Sequence, residues 1–597
     1  MDHSPTTKRI SQGRVFIIYL IVFCYLVFWA SASLASQQDK DEAIAHLSGF
    51  IQDKMSDEDV PGLSISIIHD QSTWFSQGFG QADVDTERKV SSETRFRLGG
   101  LTSIFTAMLI LKLEQNGLLS LDDAVSKYFP KLSFPYYDGS RPPITIKELL
   151  THHSGLPINI WKGSWASRPE NFQHLFSQPD RLFLSQLPNS IYSYSNVGYD
   201  LLGMIIEKVT GMRFEQALNK MILNPMGLKN TYFATPDKKD EKLATGYKKG
   251  KKKRILYPRD LPSVGLVSST VDINKLAKQF FAILNGKQGV LSKSQLEKMF
   301  LIQNLQVAAD LGRKVSLAWL VGGMGFVGGG QAVWRAGATL YQRSRIVLLP
   351  ERKLAVIVFA NDSGAWESVE EISEKAMAVA LENIFTIKPV ASDKANKSPV
   401  VYGVPDDFAE AYSSIMGYIP VKTEDIGVSA DLLGWKIRAK PDDGSWYKLQ
   451  YDLFGLIPIN LSWITKVKIA PAKITGKRVL IALYKGVQQL FASEVQLPDV
   501  TSVWLKRLGT YRLANPDELS KSMEISEGKL IVEKKKLFFL YKLPIFIGMQ
   551  LKIPMQILDD KKAIIPGLGT ALNEPVNVVH KNGQELLEFS GYLLKKQ

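Results

Sequence analysis

The sequence predicts an α/β sandwich whose sheet is closed by both ends of its own segment, followed by a separate all-β half. Three observations predict it. Residues 40–388 mix helical and strand patterns, with strands near both ends and helices between. Residues 388–403 (KPVASDKANKSPVVYG) are polar and proline-containing, a linker by composition. Beyond them the apolar period is mostly two, in WKIRAKP, WYKLQYDLF, KVKIAPAKI, RVLIALYKG and KLIVEKKKLFFLYK, the alternation of half-buried strands. At 597 residues the chain exceeds a single core. Its 45% hydrophobic and 22% charged residues exclude wholesale disorder.

The elements follow in order. Residues 1–14 carry Lys8, Arg9 and Arg14, residues 15–29 are uninterrupted apolar, and small residues (ASASLAS) follow. Basic, apolar, small is the order of a signal peptide. Residues 15–35 are also long enough, at roughly 20 residues, to cross a bilayer, so cleavage and retention as an N-terminal anchor are both open for 1–35. Either way the chain is expected to be exported. The single cysteine, Cys24, lies in this segment, so no disulfide framework or cysteine zinc site is available. Export without cysteine pairs favours a bacterial periplasm or cell surface.

Residues 40–55 place Ile44, Leu47, Ile51 and Met55 on one helical face. Strands follow at 63–70 and 73–83. Residues 101–116 are apolar on nearly every side and stop at Gly117, a buried helix with a glycine end. SRIVLLP and 353–362 read as paired strands, and 364–385 as a closing helix. The expected domains are therefore 36–388, a linker at 389–402, and β-rich units at 403–497 and 498–597. The motif Tyr412-Ser-Ser-Ile-Met-Gly417-Tyr418 is echoed by Trp504-Leu-Lys-Arg-Leu-Gly509-Thr-Tyr511. Two small barrels, or one larger barrel from both units, would satisfy that repeat.

Seven blocks resemble, in order, the serine β-lactamase and penicillin-binding-protein family, in particular its class C and D-aminopeptidase/esterase-like branch. They are VPGLSISIIHD (60–70), FGQADVDTERKVSSETRFRLGG (79–100), ITIKELLTHHSGLP (144–157), YSYSNVGYDLLGMIIEKVTG (192–211), LATGY (243–247), VGLVSSTVDINKLAKQF (264–280) and VFANDSG (358–364). The resemblance implies a β-lactamase/transpeptidase-like fold and an acyl-enzyme mechanism. A serine opening a buried helix would attack a carbonyl, and a lysine one turn later would help to deprotonate it. The tyrosine of a Tyr-x-Asn motif would be the base or a proton shuttle, and a Lys/His-x-Gly strand would complete the pocket. Small lipocalin-like barrels following the hydrolase domain also occur in related enzymes.

This sequence departs from that pattern where the chemistry lies. The usual Phe-Arg-x-Gly-Ser-x-x-Lys reads Phe96-Arg97-Leu98-Gly99-Gly100-Leu101-Thr102-Ser103. Gly100 stands at the nucleophile position and Ser103 at the lysine position, with Thr106 one turn further. Tyr194-Ser195-Asn196 keeps the Tyr-x-Asn motif, and either Ser195 or Asn196 can cap the helix that starts near 197. The third motif reads Arg335-Ala336-Gly337-Ala338-Thr339. Arg335 keeps a cation without acid–base capacity near neutral pH. It could hold a carboxylate bidentately, or be a solvated or structural arginine. By the resemblance His152 is structural, at the pocket rim; His153 is expected at the surface. Adjacent imidazoles without a third ligand make no metal site, and no cofactor is expected. Two further Ser-x-x-Lys runs, Ser445 to Lys448 and Ser526 to Lys529, lie in strand patterns, where residues three apart face opposite sides.

The net charge of +14 is localised. Residues 238–254 (KKDEKLATGYKKGKKKR) hold nine Lys/Arg and two acids, and 401–597 are mildly basic, 26 basic against 21 acidic residues. The 238–254 run is expected to form a hairpin loop. It is either a solvated tip or a contact for anionic lipid or an acidic wall polymer; nucleic acid is disfavoured. The apolar stretches 453–464 and 537–558 are interrupted, the first by proline and the second by proline and lysine, so neither spans a membrane convincingly. They are barrel interior or a lipid-contacting surface. The leading functional expectation is a β-lactamase-related protein that has lost catalysis and binds a peptide, cell-wall fragment or lipid. The alternatives are a divergent serine hydrolase, esterase-like or D-amino-acid peptidase-like, using Ser103 or another group with Tyr194, and a structural or interaction protein acting through its barrels.

Overall fold

The computed structural model describes residues 38–177, 182–322, 329–388, 408–433, 435–442, 445–453, 457–459, 467–484, 486–525, 527–542 and 550–597. The signal or anchor segment 1–35 and the linker 389–402 lie outside the described residues.

The strand Gly62–His69 pairs antiparallel with both Ser72–Asp83 and the late strand Leu354–Ala360, with Leu63 opposite Ala360. The first strand and the last are thus neighbours in one eight-stranded sheet, continued by Arg343–Leu349 and Val333–Ala338. Gly62–His69 is buried nearly throughout, with Leu63, Ile65 and Ile67 in one core and the small Ser64 and Ser66 hydrogen-bonded on the opposite face. One face carries the helix 38–57 and the helix Trp366–Phe385, packed through Leu47, Ile51, Ile372 and Met377. The other face carries the larger helical layer around Thr102–Gln115. Only Lys112, Glu114 and Gln115 of that helix escape burial, and Gly117 follows at φ +72°.

The β-rich half forms two barrels. In the first, Ala411–Ser414 pairs with the final strand Val487–Glu494, and Trp435–Pro441 pairs with Tyr447–Leu453, which closes a ring of eight strands. In the second, Gly509–Leu513 likewise pairs with the last strand, Tyr592–Lys596. This nine-stranded sheet stops just short of closure between Gln550–Pro554 and Gln556–Ile557. Up-and-down order with first strand beside last is the lipocalin-like arrangement. The repeat thus lies in topology, while the sequence echo is one strand out of register: Gly417 opens the second strand of its barrel and Gly509 the first. The barrels meet through Tyr418 and Phe538, rings 4.9 Å apart, with the Lys552 ammonium over both. Of the apolar stretch 537–558, Leu537 and Phe538 are buried, and 543–549 lie outside the described residues. Among the described residues no helix is long and apolar enough to cross a membrane.

Candidate functional site

Three segments meet where the sequence motifs point. A tight turn, Gly99–Leu101, opens the buried helix and lies on the strand Val333–Ala338. Gly99 has φ +53°, a conformation that favours glycine. Gly337 is required by closeness: a Cβ there would fall on the Leu98 carbonyl oxygen and within 3.0 Å of Gly100 N. Its role is to let the turn seat on the strand.

A Cβ at Gly100 would lie 3.0 Å from Tyr194 Oη and 3.2 Å from the Ala336 carbonyl oxygen. Tyr194 thus stands beside the position that carries serine in the family pattern, so close that a side chain at 100 would need its neighbours to give way. Ser103 is buried and its hydroxyl donates to the Gly100 carbonyl at 2.7 Å, a bond within its own turn. Arg335 is 4% exposed, so it is not a solvated arginine. Its Nε donates to the same Gly100 carbonyl at 3.4 Å and its guanidinium sits 5.3 Å from the centre of the Tyr194 ring. Arg335 thereby brings a positive charge close to position 103, where the family pattern has lysine.

His152 lies among Tyr192, Tyr194 and Tyr199. Ser195 N–H donates to its Nδ1 at 3.1 Å, and Arg335 Nη2 stands 2.9 Å from its Nε2. A neutral imidazole has one lone pair, so the two donors compete for it. Burial, with Arg335 and His153 nearby, holds the His152 pKa well below its ordinary value and keeps the ring uncharged. Burial pushes the Tyr194 phenol up, and Arg335 only partly offsets this. Tyr194 is a neutral phenol at ordinary pH and a poor base.

Ser195 caps the helix Asn196–Thr210, accepting from Gly198 N at 2.9 Å. Asn196 Nδ2 donates to Asn159 Oδ1 at 3.0 Å; its own Oδ1 is buried and has no hydrogen-bond partner among the described residues. His153 corrects the sequence expectation. It is 1% exposed, with Nε2 2.7 Å from Asp310 Oδ2 and Nδ1 3.0 Å from Thr151 Oγ1. Asp310 also accepts from Tyr192 N, so the pair anchors the segment leading into Tyr194. Neither of the other Ser-x-x-Lys runs reaches this centre: Lys448 and Lys529 lie on barrel strands, and Ser526 is outside the described residues.

The sequence did not foretell the roof of the site. Thr570, in the second barrel, accepts a hydrogen bond from Tyr194 N at 2.9 Å. Gln186 Nε2 reaches the carbonyls of Gly567, Gly569 and Leu572, while Ser590 Oγ donates to the Asn159 carbonyl. Residues nearly 400 positions apart in the chain make these contacts, and nothing local announces them. Among the described residues no group of three His, Cys, Asp or Glu side chains is placed to hold a metal ion.

A family model described as Beta-lactamase matches residues 47–380. The chain belongs to the beta-lactamase family. Relatives of this beta-lactamase-family chain include Protein flp of Staphylococcus aureus (strain MW2), 33% identical over 251 residues, 41% of this chain and 48% of that protein. A Beta-lactamase of Providencia stuartii is 29% identical over 239 residues, 40% of this chain and 56% of that protein. The chain thus spans about half the length of the curated relatives it matches. Among solved structures, the octameric penicillin-binding protein homologue from Pyrococcus abyssi has a TM-score of 0.51 at 25% identity, covering 76% of this chain and 100% of that one. SurE with D-Leu, at 19% identity and TM-score 0.54, covers 76% of this chain and 99% of that one and is similar in fold.

Proposed function

We propose that this beta-lactamase-family chain is an exported, non-catalytic binding or regulatory module whose ligand is a peptide, a cell-wall fragment or a lipid. One observation carries the reading: position 100 has no oxygen nucleophile, yet the tyrosine that would serve it stands 3.0 Å from where its Cβ would be. Loss of the nucleophile from a concerted set costs about as much as loss of the whole set, on the order of 10⁶-fold in rate. The internal bond of Ser103, the raised pKa of Tyr194 and the fixed charge of Arg335 all support the reading. The buried, unpartnered Asn196 Oδ1 supports retained binding, because an acceptor kept from water calls for a donor. The likeness to a penicillin-binding protein homologue supports a peptide-like ligand.

The test is exposure of the purified protein to a fluorescent penicillin and to a panel of ester, amide and D-amino-acid peptide substrates. No covalent label and no turnover are expected. Labelling that disappears in Tyr194→Phe would overturn the reading. Turnover that disappears in Ser103→Ala would instead establish a divergent hydrolase.

A further inference from the structure

Six arginines are buried among the described residues. Arg259 is answered by Asp260, Arg507 by Glu585, and Arg345 faces Glu370 and Glu374. Arg343 donates to the carbonyls of Thr339, Gln342 and Ser363, and Arg335 to that of Gly100. Arg97 differs. It is 8% exposed, its side chain makes no hydrogen bond or ion pair with any described residue, and its Nη2 is fully buried without an acceptor. Its guanidinium stands 4.9 Å from the centre of the Tyr257 ring. Guanidinium keeps its proton under all ordinary conditions, so the charge persists. A buried charge without a partner is costly enough that its persistence calls for a counter-ion.

Arg97 lines a cavity of about 30 Å³, together with Trp165, Lys253, Thr339, Tyr341 and Gln342. Lys253 comes from the basic 238–254 segment and has no ion pair among the described residues. Three cations, Arg97, Lys253 and Arg254, thus border a space with no acid in its lining, and among the described residues only Arg254 of the three has an ion-pair partner, Glu518. That volume admits one small group, about a water or two in size, and excludes a sugar or a nucleotide. A guanidinium fork matches the two oxygens of a carboxylate.

We infer that this cavity is a carboxylate-binding site, with Arg97 as its principal donor and Lys253 at its edge. The carboxylate is either a free small acid or the end of a peptide. Arg97 lies three residues before Gly100, and Thr339 two after Gly337, so a peptide held here by its carboxylate end would lie beside the degenerate centre. The inference draws on none of Gly100, Ser103, Tyr194 or Arg335 and stands whether or not the centre retains activity.

The test measures the thermal midpoint of the full chain at fixed ionic strength, titrated with sodium acetate, with N-acetyl-dialanine, and with the C-terminal amide of that peptide. A saturable rise with acetate and the free acid, but not the amide, is expected. Arg97→Gln should weaken the apparent affinity by about tenfold or more, the loss of a charge-assisted bond. A response to acetate but not to the peptide assigns the site to free small acids. The absence of any saturable response, or an unchanged one in Arg97→Gln, overturns the inference. If Arg97→Gln fails to fold, the half-buried Lys253→Gln serves in its place: severalfold weaker acetate binding is expected, and unchanged binding overturns it.

Discussion

At Gly100 the tyrosine and the strand of the family pattern surround a residue without a side chain. Ser103 Oγ and Arg335 Nε both donate to the Gly100 carbonyl, so the guanidinium lies where a lysine at 103 would need room for its ammonium. Restoring only Gly100→Ser and Ser103→Lys should therefore leave the protein unreactive toward a fluorescent penicillin. Adding Arg335→His, one of the residues the family pattern has there, should bring covalent labelling, read by gel fluorescence. Labelling by the double variant alone would show that Arg335 is no obstacle. The positions 100, 103, 194 and 335 were legible because each sits in a short motif at fixed spacing. What Arg335 touches was not, since its partners Gly100 and His152 lie 235 and 183 residues away. His153 was misjudged for the same reason: its burial depends on Asp310, 157 residues on.

At the scale of elements, local chemistry was readable where it is self-contained. Ser195 before Asn196–Thr210 caps as a serine should, and Gly211 ends that helix at φ +68°. The 238–254 run contains the expected hairpin, Tyr247–Lys248 paired with Lys251–Lys252. Its charges are unequal. Lys252 is bound to Asp83 and Asp85, and Arg254 to Glu518 of the second barrel. Lys249 and Lys251 are exposed, and Lys248 half-exposed. If the hairpin contacts an anionic surface, replacing Lys248, Lys249 and Lys251 by Gln should weaken binding to phosphatidylglycerol-containing vesicles by about 1 kcal/mol per lysine. Lys252→Gln should change it little. Sedimentation with vesicles at two salt concentrations reads both, and equal binding by all variants would discard the membrane contact.

At the scale of the whole molecule, the second barrel is fastened to the rim of the site. Gly163 N donates to Asp517, Trp161 N to Ser590 Oγ, and Tyr194 N to Thr570. Among these contacts lies Glu574, 2% exposed, whose carboxyl is stabilised among the described residues by the Ile158 backbone N–H alone. Ile158 in turn accepts from Asn196 N, so Glu574 is one residue removed from the Tyr-x-Asn motif. Burial pushes its carboxyl up to about 7 from an ordinary 4.5. The folded state holds this proton more tightly than the unfolded one. Its contribution is thus complete below pH 4.5 and is lost as pH rises through 7, by about 3 kcal/mol. Urea midpoints measured from pH 4.5 to 8 should show that fall superimposed on the other titrations, and Glu574→Gln should flatten it. A Gln variant with the same slope as the wild type would place the titration elsewhere.

By itself the sequence determined the α/β sandwich, the β-rich half and the placing of Gly100 and Ser103 where the family pattern has serine and lysine, because periodicity, caps and motif spacing are local properties of the chain. Only the tertiary structure decided that Arg335 and His152 share the centre, that Arg97 is left without an acceptor, and that the second barrel roofs the tyrosine. Those outcomes depend on which distant groups meet once water is excluded, and hydrogen-bond satisfaction in a buried space carries no signature in the order of residues.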